Sequence, residues 1–580
     1  MKTVLVLAGL VALVMGSAVP HHHNIKLKPG GFFATILTLW QKCTNTSNHT
    51  CNKQAVDEFL LLYRTGTLPK YYKFSIFYER MRDEAIALFH VLYYAKDFDT
   101  FYKTACWAKV YMNGEQFLYA YYIAIVQRAD TDGIVLPAPY EVYPEFFFNG
   151  KVMHQLYRTK MQSYPFEDKF AAQYGIVKEN NNYVFYANYS TSLSYPNQEQ
   201  KLSYFTEDIG LNSYYFYFHS QMPFWWKSEK LSVLKDRLGE PEKEMNYVGN
   251  YWHMNSDLYA EKSNKDLHQY SYEIIARHVL GASPKPFDKY SFMPSALDFY
   301  QTSLRDPAFY QLYQRIIDYL IDYKQYVKPY DHNDLHFVGV KINDVQVSDL
   351  VTYFDYFDFN ATNSVYYNKE ELQTYPVNYI VRQPRLNHKP FSVKLDVKSD
   401  AASDAVFKIF IGPKYHANGY PVNIEDDWMK FYELDWFVQK LVPGENKIER
   451  KSSEFVLFKD DSVPINEIYE FLDQAKVPYD MSVQPDNMPR RLMLPKGTLG
   501  GYPFQLFVFV YPYNSVKKGD NVFESYILDN KPFGYPFDRP VREAYFRQPN
   551  VFFKDVRIYH KDAYLPYELN VPSYFLQNKM

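Results

Sequence analysis

The spacing of apolar residues is helical in the early part of the chain. Between residues 53 and 130, apolar side chains recur every three or four positions, which puts them on one face of a helix. The clearest segments are Ala55 to Tyr63, Asp83 to Tyr94 and Gln116 to Gln127. Gly66 and Pro69 follow the first segment and predict its end. Prolines at 137, 139 and 144 then break the pattern, so the first domain is expected to end near residue 150.

The middle of the chain keeps this helical spacing only in separate stretches. A polar stretch from Arg237 to Met245 predicts a loop between them. The stretches predicted to be helices are Phe205 to Trp226, Tyr272 to Leu280 and Ser295 to Tyr323.

From about residue 332 the period changes to two. Phe391 to Val397 alternates apolar and polar positions, the pattern of a strand with one buried face. Further β-branched and aromatic runs cover Val406 to Ile411, Phe504 to Tyr511 and Val551 to Tyr559. Several strands separated by long loops that contain proline predict a β-sandwich. The predicted fold class is therefore a multidomain α + β protein with helices first and strands last.

The first 18 residues have the features of a secretory signal peptide. Lys2 supplies a positive charge, Val4 to Val14 is apolar but short for a membrane span, and small residues from Gly16 to Ala18 suit a cleavage site. No later stretch reaches the length of a transmembrane helix, so no membrane partner is expected. The mature protein is predicted to be soluble and extracellular.

Two further features fit the secretory route. Cys43 and Cys51 could close a small disulfide loop, while Cys106 is expected to be a buried, unpaired thiol. Four glycosylation sequons are candidates for modification, at Asn45, Asn48, Asn188 and Asn360.

The composition is unusual in its tyrosine content. Aromatic residues make up 19% of the 580 residues, with Tyr 58 and Phe 45. This is more phenol than a core needs, because each buried tyrosine hydroxyl also needs a hydrogen-bond partner. A net charge of −3 makes nucleic acid an unexpected partner, and three cysteines exclude a disulfide scaffold.

The usual catalytic motifs are absent from the sequence. It has no G-x-S-x-G elbow, no H-E-x-x-H, no Walker loop and no C-x-x-C. The histidine tract at 21–23 is interpreted as a flexible surface segment, since Pro20 lacks the N–H that an amino-terminal copper site would use. His332 and His336 are four residues apart at a helix-to-strand transition, where solvated histidines are expected rather than a metal pair.

Two stretches of the sequence are far more specific indicators of a family than the histidines are. The first runs from Tyr204 to Asn212 and is followed by His219 and Pro223, and the second runs from Thr302 to Tyr310. Together they resemble the two marker motifs of the arthropod hemocyanin superfamily. The resemblance continues through Leu136 to Tyr140, Arg385 to Phe391, Leu494 to Gly497 and Gly534 to Pro540.

The resemblance implies three domains after the signal peptide at 1–18. It implies a helical N-domain over 19–150, a helical middle domain of the copper-binding type over 151–331, and an immunoglobulin-like β-sandwich over 332–580. The middle domain is expected to be shortened near 240–246, where the segment that bears a copper ligand in the family has no counterpart. The segment before about residue 53 does not resemble the family's usual N-terminal helices.

The resemblance also identifies degenerate copper positions. Oxygen-binding members of the family hold each of two coppers with three histidines. Phenol and alkyl side chains are not substitutes for neutral imidazole at pH 7, so neither copper nor another cofactor is expected. The residues at the corresponding positions here are Tyr215 and His219 for the first site, and Ile274, His278 and Tyr313 for the second.

A secreted member without copper ligands resembles the insect hexamerins, and the tyrosine and phenylalanine content resembles their arylphorin branch. This implies a larval haemolymph storage protein that is not an enzyme. It also implies a homo- or hetero-hexamer with other hexamerins, taken up through a fat-body receptor. The alternatives are a haemolymph carrier of small hydrophobic ligands, a cuticle component, or an oxygen carrier or phenoloxidase.

Overall fold

The structure of the 580-residue chain is a computed structural model. The structure describes residues 53–131, 137–148, 150–161, 175–180, 182–187, 272–283, 292, 294–299, 302–303, 306–312, 328–365, 377–459, 464–465, 488–514, 531, 535–537 and 539–561. No helix in these ranges is long and apolar enough to cross a membrane.

Four helices form the first part of the described chain and confirm the helical prediction for residues 53–130. Phe89 and Phe101 are fully buried in their shared core, beside Leu88 and Tyr121. The helices are α1 at Lys53–Thr65, α2 at Glu79–Tyr93, α3 at Phe98–Tyr111 and α4 at Gly114–Gln127.

Side-chain caps set where two of these helices begin. The Asp97 carboxylate accepts a hydrogen bond from the Thr100 amide at 2.8 Å and starts α3. The Asn113 side chain accepts from the amides of Glu115 and Gln116 at 3.1 and 3.0 Å and starts α4. Its own Nδ2 donates to the carbonyl of Pro69 at 2.9 Å, so the cap also ties α4 to the loop after α1.

The next part of the chain mixes helices and strands. Two short helices, α5 at Pro139–Val142 and α6 at Gly150–Met161, precede an antiparallel pair, β1 at Val177–Glu179 and β2 at Asn182–Tyr186. Helix α7 spans Tyr272–Leu280 and confirms the prediction for that stretch. The predicted helix from Phe205 to Trp226 lies outside the described residues.

The prediction that the stretch from Ser295 to Tyr323 is helical is wrong in its first part. Ala296–Asp298 is a single 3-10 turn, and Phe299 after it is extended. A capping box between Ser295 and Asp298 closes this turn, and a separate helical run occupies residues 307–312. Pro307 at its start cannot donate a backbone hydrogen bond, which suits the first position of a helix.

The last part of the chain is a β-sandwich, and each predicted strand is present. A large sheet has the order β1-β2-β5-β4-β13-β12-β7-β8, a small sheet has the order β3-β6-β9, and β10 pairs with β11. The bounds are β3 Val340–Val347, β4 Leu350–Asn360, β5 Asn378–His388, β6 Ser392–Ser399, β7 Ser403–Pro413, β8 Tyr432–Leu441, β9 Gly444–Lys451, β10 Phe458–Lys459, β11 Met488–Pro489, β12 Tyr502–Pro512 and β13 Val551–His560.

The sandwich core lies between the two sheets. Val393 and Leu395 of β6 pack with Phe407 of β7 and Leu506 and Val508 of β12 in one buried cluster. The other face of the large sheet is covered by loops and by three short helices, α8 at His332–Leu335, α9 at Ile424–Asp427 and α10 at Glu543–Phe546. The fold class predicted from the sequence is confirmed.

One strand pairing in the large sheet was not predicted. Strand β2 comes from the part of the chain assigned to the middle domain, yet it pairs in parallel with β5, with Val184 opposite Ile380. Parallel pairing joins strands that are far apart in sequence, so the local pattern gives no sign of it. The large sheet therefore ties the middle of the chain to its end.

Candidate functional site

Helix α7 carries the two predicted copper positions that fall within the described residues. His278 lies one turn after Ile274, whose side chain has no atom that could bind a metal. The Nδ1 atom of His278 is 3.0 Å from Oδ1 of Asp298, a fully buried carboxylate. The remaining positions, Tyr215, His219 and Tyr313, lie outside the described residues.

Asp298 is the centre of a hydrogen-bond network. Its Oδ2 accepts from the Ser283 hydroxyl at 2.5 Å and from the Ser295 amide at 2.6 Å. Its backbone carbonyl accepts from the hydroxyl of Ser75, which belongs to the N-terminal helical part. The carboxylate and carbonyl of one residue thus link α7, the 3-10 turn and the loop before α2. We call Asp298, His278, Ser283, Ser295 and Ser75 the Asp298 network.

A close approach of backbone and side chain brings these elements together. Gly281 directly follows the last residue of α7, and its amide donates to the Arg277 carbonyl at 2.9 Å. A Cβ atom at this position would lie 2.2 Å from the Ser295 hydroxyl oxygen. Only glycine lets the segment with Ser295 pack this closely against the end of α7.

Arg277 adds a second link between α7 and its surroundings. Its guanidinium lies 4.1 Å from the ring centroid of Phe77 and 5.5 Å from that of Phe309, and it donates to the Leu297 carbonyl at 2.8 Å. Such buried contacts between a cation and aromatic faces stabilise the packing. This side of α7 therefore holds three segments of chain in place.

The electrostatics of the network favour a charged carboxylate. Burial opposes ionisation of Asp298, but hydrogen bonds from His278, Ser283 and Ser295 outweigh it, so the pKa of this carboxyl is lowered. The Tyr78 ring packs on the His278 ring with centroids 4.7 Å apart. Burial, with the Asp298 charge adding to it, raises the pKa of the Tyr78 phenol well above its usual value.

The hydrogen bonds of the Asp298 network stabilise the fold and do not activate a nucleophile. Both Ser283 and His278 bond to the carboxylate, so no hydroxyl is paired with the imidazole as a nucleophile is with its base. Within the ranges the structure covers, no three His, Cys, Asp or Glu side chains stand together as a metal site. Sequence reasoning missed Asp298 and Ser75, since only their contact across the fold reveals their role.

Among the predicted modification sites, only Asn360 can be located. It is the last residue of β4 and half-buried, its Oδ1 accepts from the Thr362 amide at 2.9 Å, and its backbone amide donates to Glu141. Cys106 is a half-buried free cysteine, and burial raises the pKa of its thiol to about 11. Asn45, Asn48, Asn188, Cys43 and Cys51 lie outside the described residues.

Two buried tyrosines, Tyr78 and Tyr121, have hydroxyls that form no hydrogen bond with the described residues. Tyr121 is fully buried and stacks with Phe101 and Phe117 at centroid distances of 5.8 and 5.2 Å. Its hydroxyl, like that of Tyr78, has no hydrogen-bond partner in the part of the chain that the structure describes. By contrast, the buried Tyr432 hydroxyl donates to the Met493 carbonyl at 3.2 Å. At such positions a phenylalanine ring would pack equally well.

Three family models match the chain in the order of its folded parts. The hemocyanin all-alpha domain matches residues 34–133, and the hemocyanin ig-like domain matches 329–560. The hemocyanin copper containing domain matches in two pieces, 138–242 and 240–320. The two pieces overlap at residues 240–242, where the family resemblance implies that a segment is missing.

The chain is also similar to named proteins over its full length. It is 52% identical to "Arylphorin subunit beta" of Manduca sexta over an alignment of 701 residues, which covers 100% of this chain and 99% of that protein. It is 49% identical to "Arylphorin" of Antheraea pernyi over 99% of both chains. The alignment to the beta subunit is longer than the 580 residues of this chain, so that relative carries residues that this chain lacks.

Solved structures show the same fold at lower identity. A scorpion hemocyanin in its activated state matches with a TM-score of 0.61 and 20% identity, covering 97% of this chain and 99% of that one. A crustacean hemolymph-type prophenoloxidase matches with a TM-score of 0.61 and 17% identity, covering 88% and 91%. From the three domain matches and the near-complete alignment to arylphorins, the chain belongs to the arylphorin-type hexamerins of the hemocyanin superfamily.

Proposed function

We propose that this chain is a secreted storage protein whose content of tyrosine and phenylalanine is its function. The observation that carries the proposal is the Tyr121 hydroxyl, which is buried in the helical core and has no hydrogen-bond partner among the residues that the structure describes. A buried hydroxyl that forms no hydrogen bond costs about 1–3 kcal/mol. Phenylalanine would avoid this cost, so stability alone does not account for a tyrosine there, whereas use of the protein as a tyrosine reserve does.

The placement of tyrosine at the surface supports the same proposal. Tyr71 is 89% exposed and Tyr420 is 69% exposed. Neither ring contributes to a core. With Tyr121 they indicate that tyrosine is present in several environments regardless of its packing value, as a reservoir of amino acids requires.

The Tyr121→Phe substitution tests this reasoning. We expect it to raise the free energy of unfolding by about 1 kcal/mol, because it removes the hydroxyl and keeps the stacked ring. The matched control is Tyr432→Phe, which removes a hydroxyl that is bonded to Met493. That variant should lose about 1 kcal/mol. Urea unfolding followed by circular dichroism measures both, and a loss of stability in Tyr121→Phe comparable to the control would contradict the reasoning.

The relatives support an assembled, extracellular form. Similar proteins bear the names "Hexamerin 70b" of Apis mellifera, at 32% identity, and "Sex-specific storage-protein 1" of Bombyx mori, at 30% identity. We infer a homo- or hetero-hexamer with related subunits that circulates in haemolymph after removal of residues 1–18. Uptake through a fat-body receptor belongs to the same proposal, since stored amino acids must reach the cells that use them.

Oxygen transport and phenol oxidation are the less favoured functions. Such chemistry needs imidazole from several helices around each copper. The residues of this chain do not fit that group, because Ile274 offers no ligand atom and His278 is then the one imidazole at the two copper positions within the described residues. We therefore infer that the chain is not an enzyme. Carriage of small hydrophobic ligands and a role in cuticle stay as alternatives.

A further inference from the structure

A pair of histidines lies at the start of the β-rich part, after all of the degenerate copper positions in sequence. His332 begins helix α8, and His336 follows its last residue. The His336 amide donates to the His332 carbonyl at 3.0 Å, which closes one α-helical turn. The two side chains therefore leave the same face of one turn, the arrangement by which a helix offers two imidazoles to one metal ion.

The separation of the two rings suits a shared ion. Their centroids are 5.4 Å apart, with the ring planes inclined at 38°. A zinc ion bonds imidazole nitrogen at about 2.0–2.1 Å, so two rings held tetrahedrally by one ion have centroids roughly 5 Å apart. The observed spacing is close to this value without any movement of the backbone.

Unsatisfied polar atoms at the same place point to a missing partner. Nδ1 of His336 and Oε1 of Gln548 are both buried, and across the described ranges neither has a hydrogen-bond partner. Gln548 is only 5% exposed, and its Nε2 lies 3.5 Å from the His332 carbonyl, which places the amide against this helical turn. A buried acceptor without a donor is costly, and a metal-bound water is a strong donor that would satisfy it.

Buried hydrogen bonds from neighbouring segments also fix the backbone of the α8 turn. The fully buried Asn550 side chain donates to the Leu335 carbonyl at 2.9 Å and accepts from the Phe337 amide at 3.2 Å. It therefore holds the backbone in place on both sides of His336. The Tyr535 hydroxyl donates to the Asp334 carbonyl at 3.0 Å. A ligand pair on a fixed turn loses little freedom when it binds an ion.

We propose that His332 and His336 form a binding site for a divalent transition-metal ion of the zinc or copper type. The two imidazoles are the protein ligands, water completes the coordination, and Gln548 accepts a hydrogen bond from that water. Asp331 and Asp334, whose side chains cap the same turn, add negative charge beside His332. Sequence reasoning expected solvated histidines here. His332 is indeed exposed, but His336 is half-buried with a buried ring nitrogen.

The test is a titration of the full secreted chain with ZnCl₂, and separately with CuCl₂, by calorimetry. His21, His22 and His23 are replaced by alanine in every sample, because that tract would bind metal by itself. We expect one ion per chain at this site. His332→Ala, a change at an exposed position that should leave the fold intact, should weaken binding by at least about tenfold. His336→Ala should do the same.

Two further variants separate a metal site from an ordinary polar contact. Gln548→Met keeps the volume of the side chain and should weaken binding about tenfold by removing the acceptor for the bound water. His154→Ala removes an exposed histidine on α6 and should leave binding unchanged. Absence of zinc and copper binding would overturn the proposal, as would binding that His332→Ala leaves unaltered.

Discussion

Replacing Asp298 by alanine is expected to lower the free energy of unfolding by about 3–5 kcal/mol. The carboxylate accepts hydrogen bonds from His278, Ser283 and Ser295 and is fully buried. Its removal deprives the buried Ser283 hydroxyl and the half-buried His278 ring of this acceptor, while the Ser295 amide keeps the Ser283 hydroxyl oxygen at 3.1 Å. Each buried group left unsatisfied costs about 1–3 kcal/mol. Urea unfolding followed by far-ultraviolet circular dichroism measures the loss.

The control for this prediction is an exposed ion pair of similar chemistry. Asp99 bonds Lys103 one turn later on α3 at 2.6 Å, with its side chain 67% exposed. Surface pairs of this kind contribute about 0–1 kcal/mol, so Asp99→Ala should change little. If Asp298→Ala proved as mild as the control, the Asp298 network would not be what holds α7 in place.

The same network has a defined dependence on pH. Because the pKa of Asp298 is lowered in the folded protein, its contribution is complete above the pKa of the unfolded carboxyl, about 3.9. This contribution to stability is lost as the pH falls through the pKa that Asp298 has in the folded protein. The difference in stability between the parent and Asp298→Ala should therefore hold constant from neutral pH down to about 4 and shrink below it.

Replacing Glu141 by alanine is expected to destabilise the junction between the helical and β-rich parts by about 2–5 kcal/mol. Glu141 is fully buried on α5, and its two carboxylate oxygens accept from the backbone amides of Asn360 and Ile465 at 2.9 and 2.8 Å. Its own carbonyl accepts from the Asn363 side chain at 2.8 Å. Without the carboxylate, two buried amides from the β-rich part lose their acceptors.

Limited proteolysis is the sharpest measurement for this junction. The Glu141→Ala chain should be cut between its helical and β-rich parts at lower protease concentration than the parent, and its thermal transition should move down. Glu141→Gln should lie between the two, since an amide can accept from only one of the two amides. Glu58→Ala on the exposed face of α1 serves as the control. Parent-like resistance in Glu141→Ala would show that other contacts hold the junction.

The sequence was most informative where structure is local. Helical spacing predicted α2 and α4, and alternation predicted β6, because a buried face imposes a period on residues that are neighbours in the chain. The start of the helical run after Asp306 was not predicted, although its signal is present in the sequence. The Asp306 carboxylate accepts from the Ala308 amide at 2.9 Å, and Asp followed by Pro is a familiar start signal.

Contacts between distant segments could not be predicted in this way. Ser75 and Asp298 are 223 residues apart, and Asn360 and Glu141 are 219 apart. Nothing in the pattern around any of these four residues marks them as partners. The single 3-10 turn at Ala296–Asp298 was missed for a related reason, because its capping box competes with the helix that the apolar spacing favours.

The same distinction between local patterns and distant contacts applies to the candidate site. The sequence identified His278 and the unusual tyrosine content, because both are visible as residue types at known positions. It could not show that His278 is bonded to Asp298, or that Tyr121 is buried without a hydrogen-bond partner among the described residues. These facts depend on which side chains meet in the fold. They are also the facts that bear most on function.

The most direct test of the storage function follows the tyrosine itself. The chain, labelled with ¹³C-tyrosine, would be injected into the haemolymph of last-stage larvae, and the label would be followed by mass spectrometry through the moult. The storage function predicts that intact labelled chain disappears and that the label reappears in newly made proteins and in cuticle tyrosine derivatives. Labelled chain that persists intact through the moult, with no label in new protein or cuticle, would contradict it.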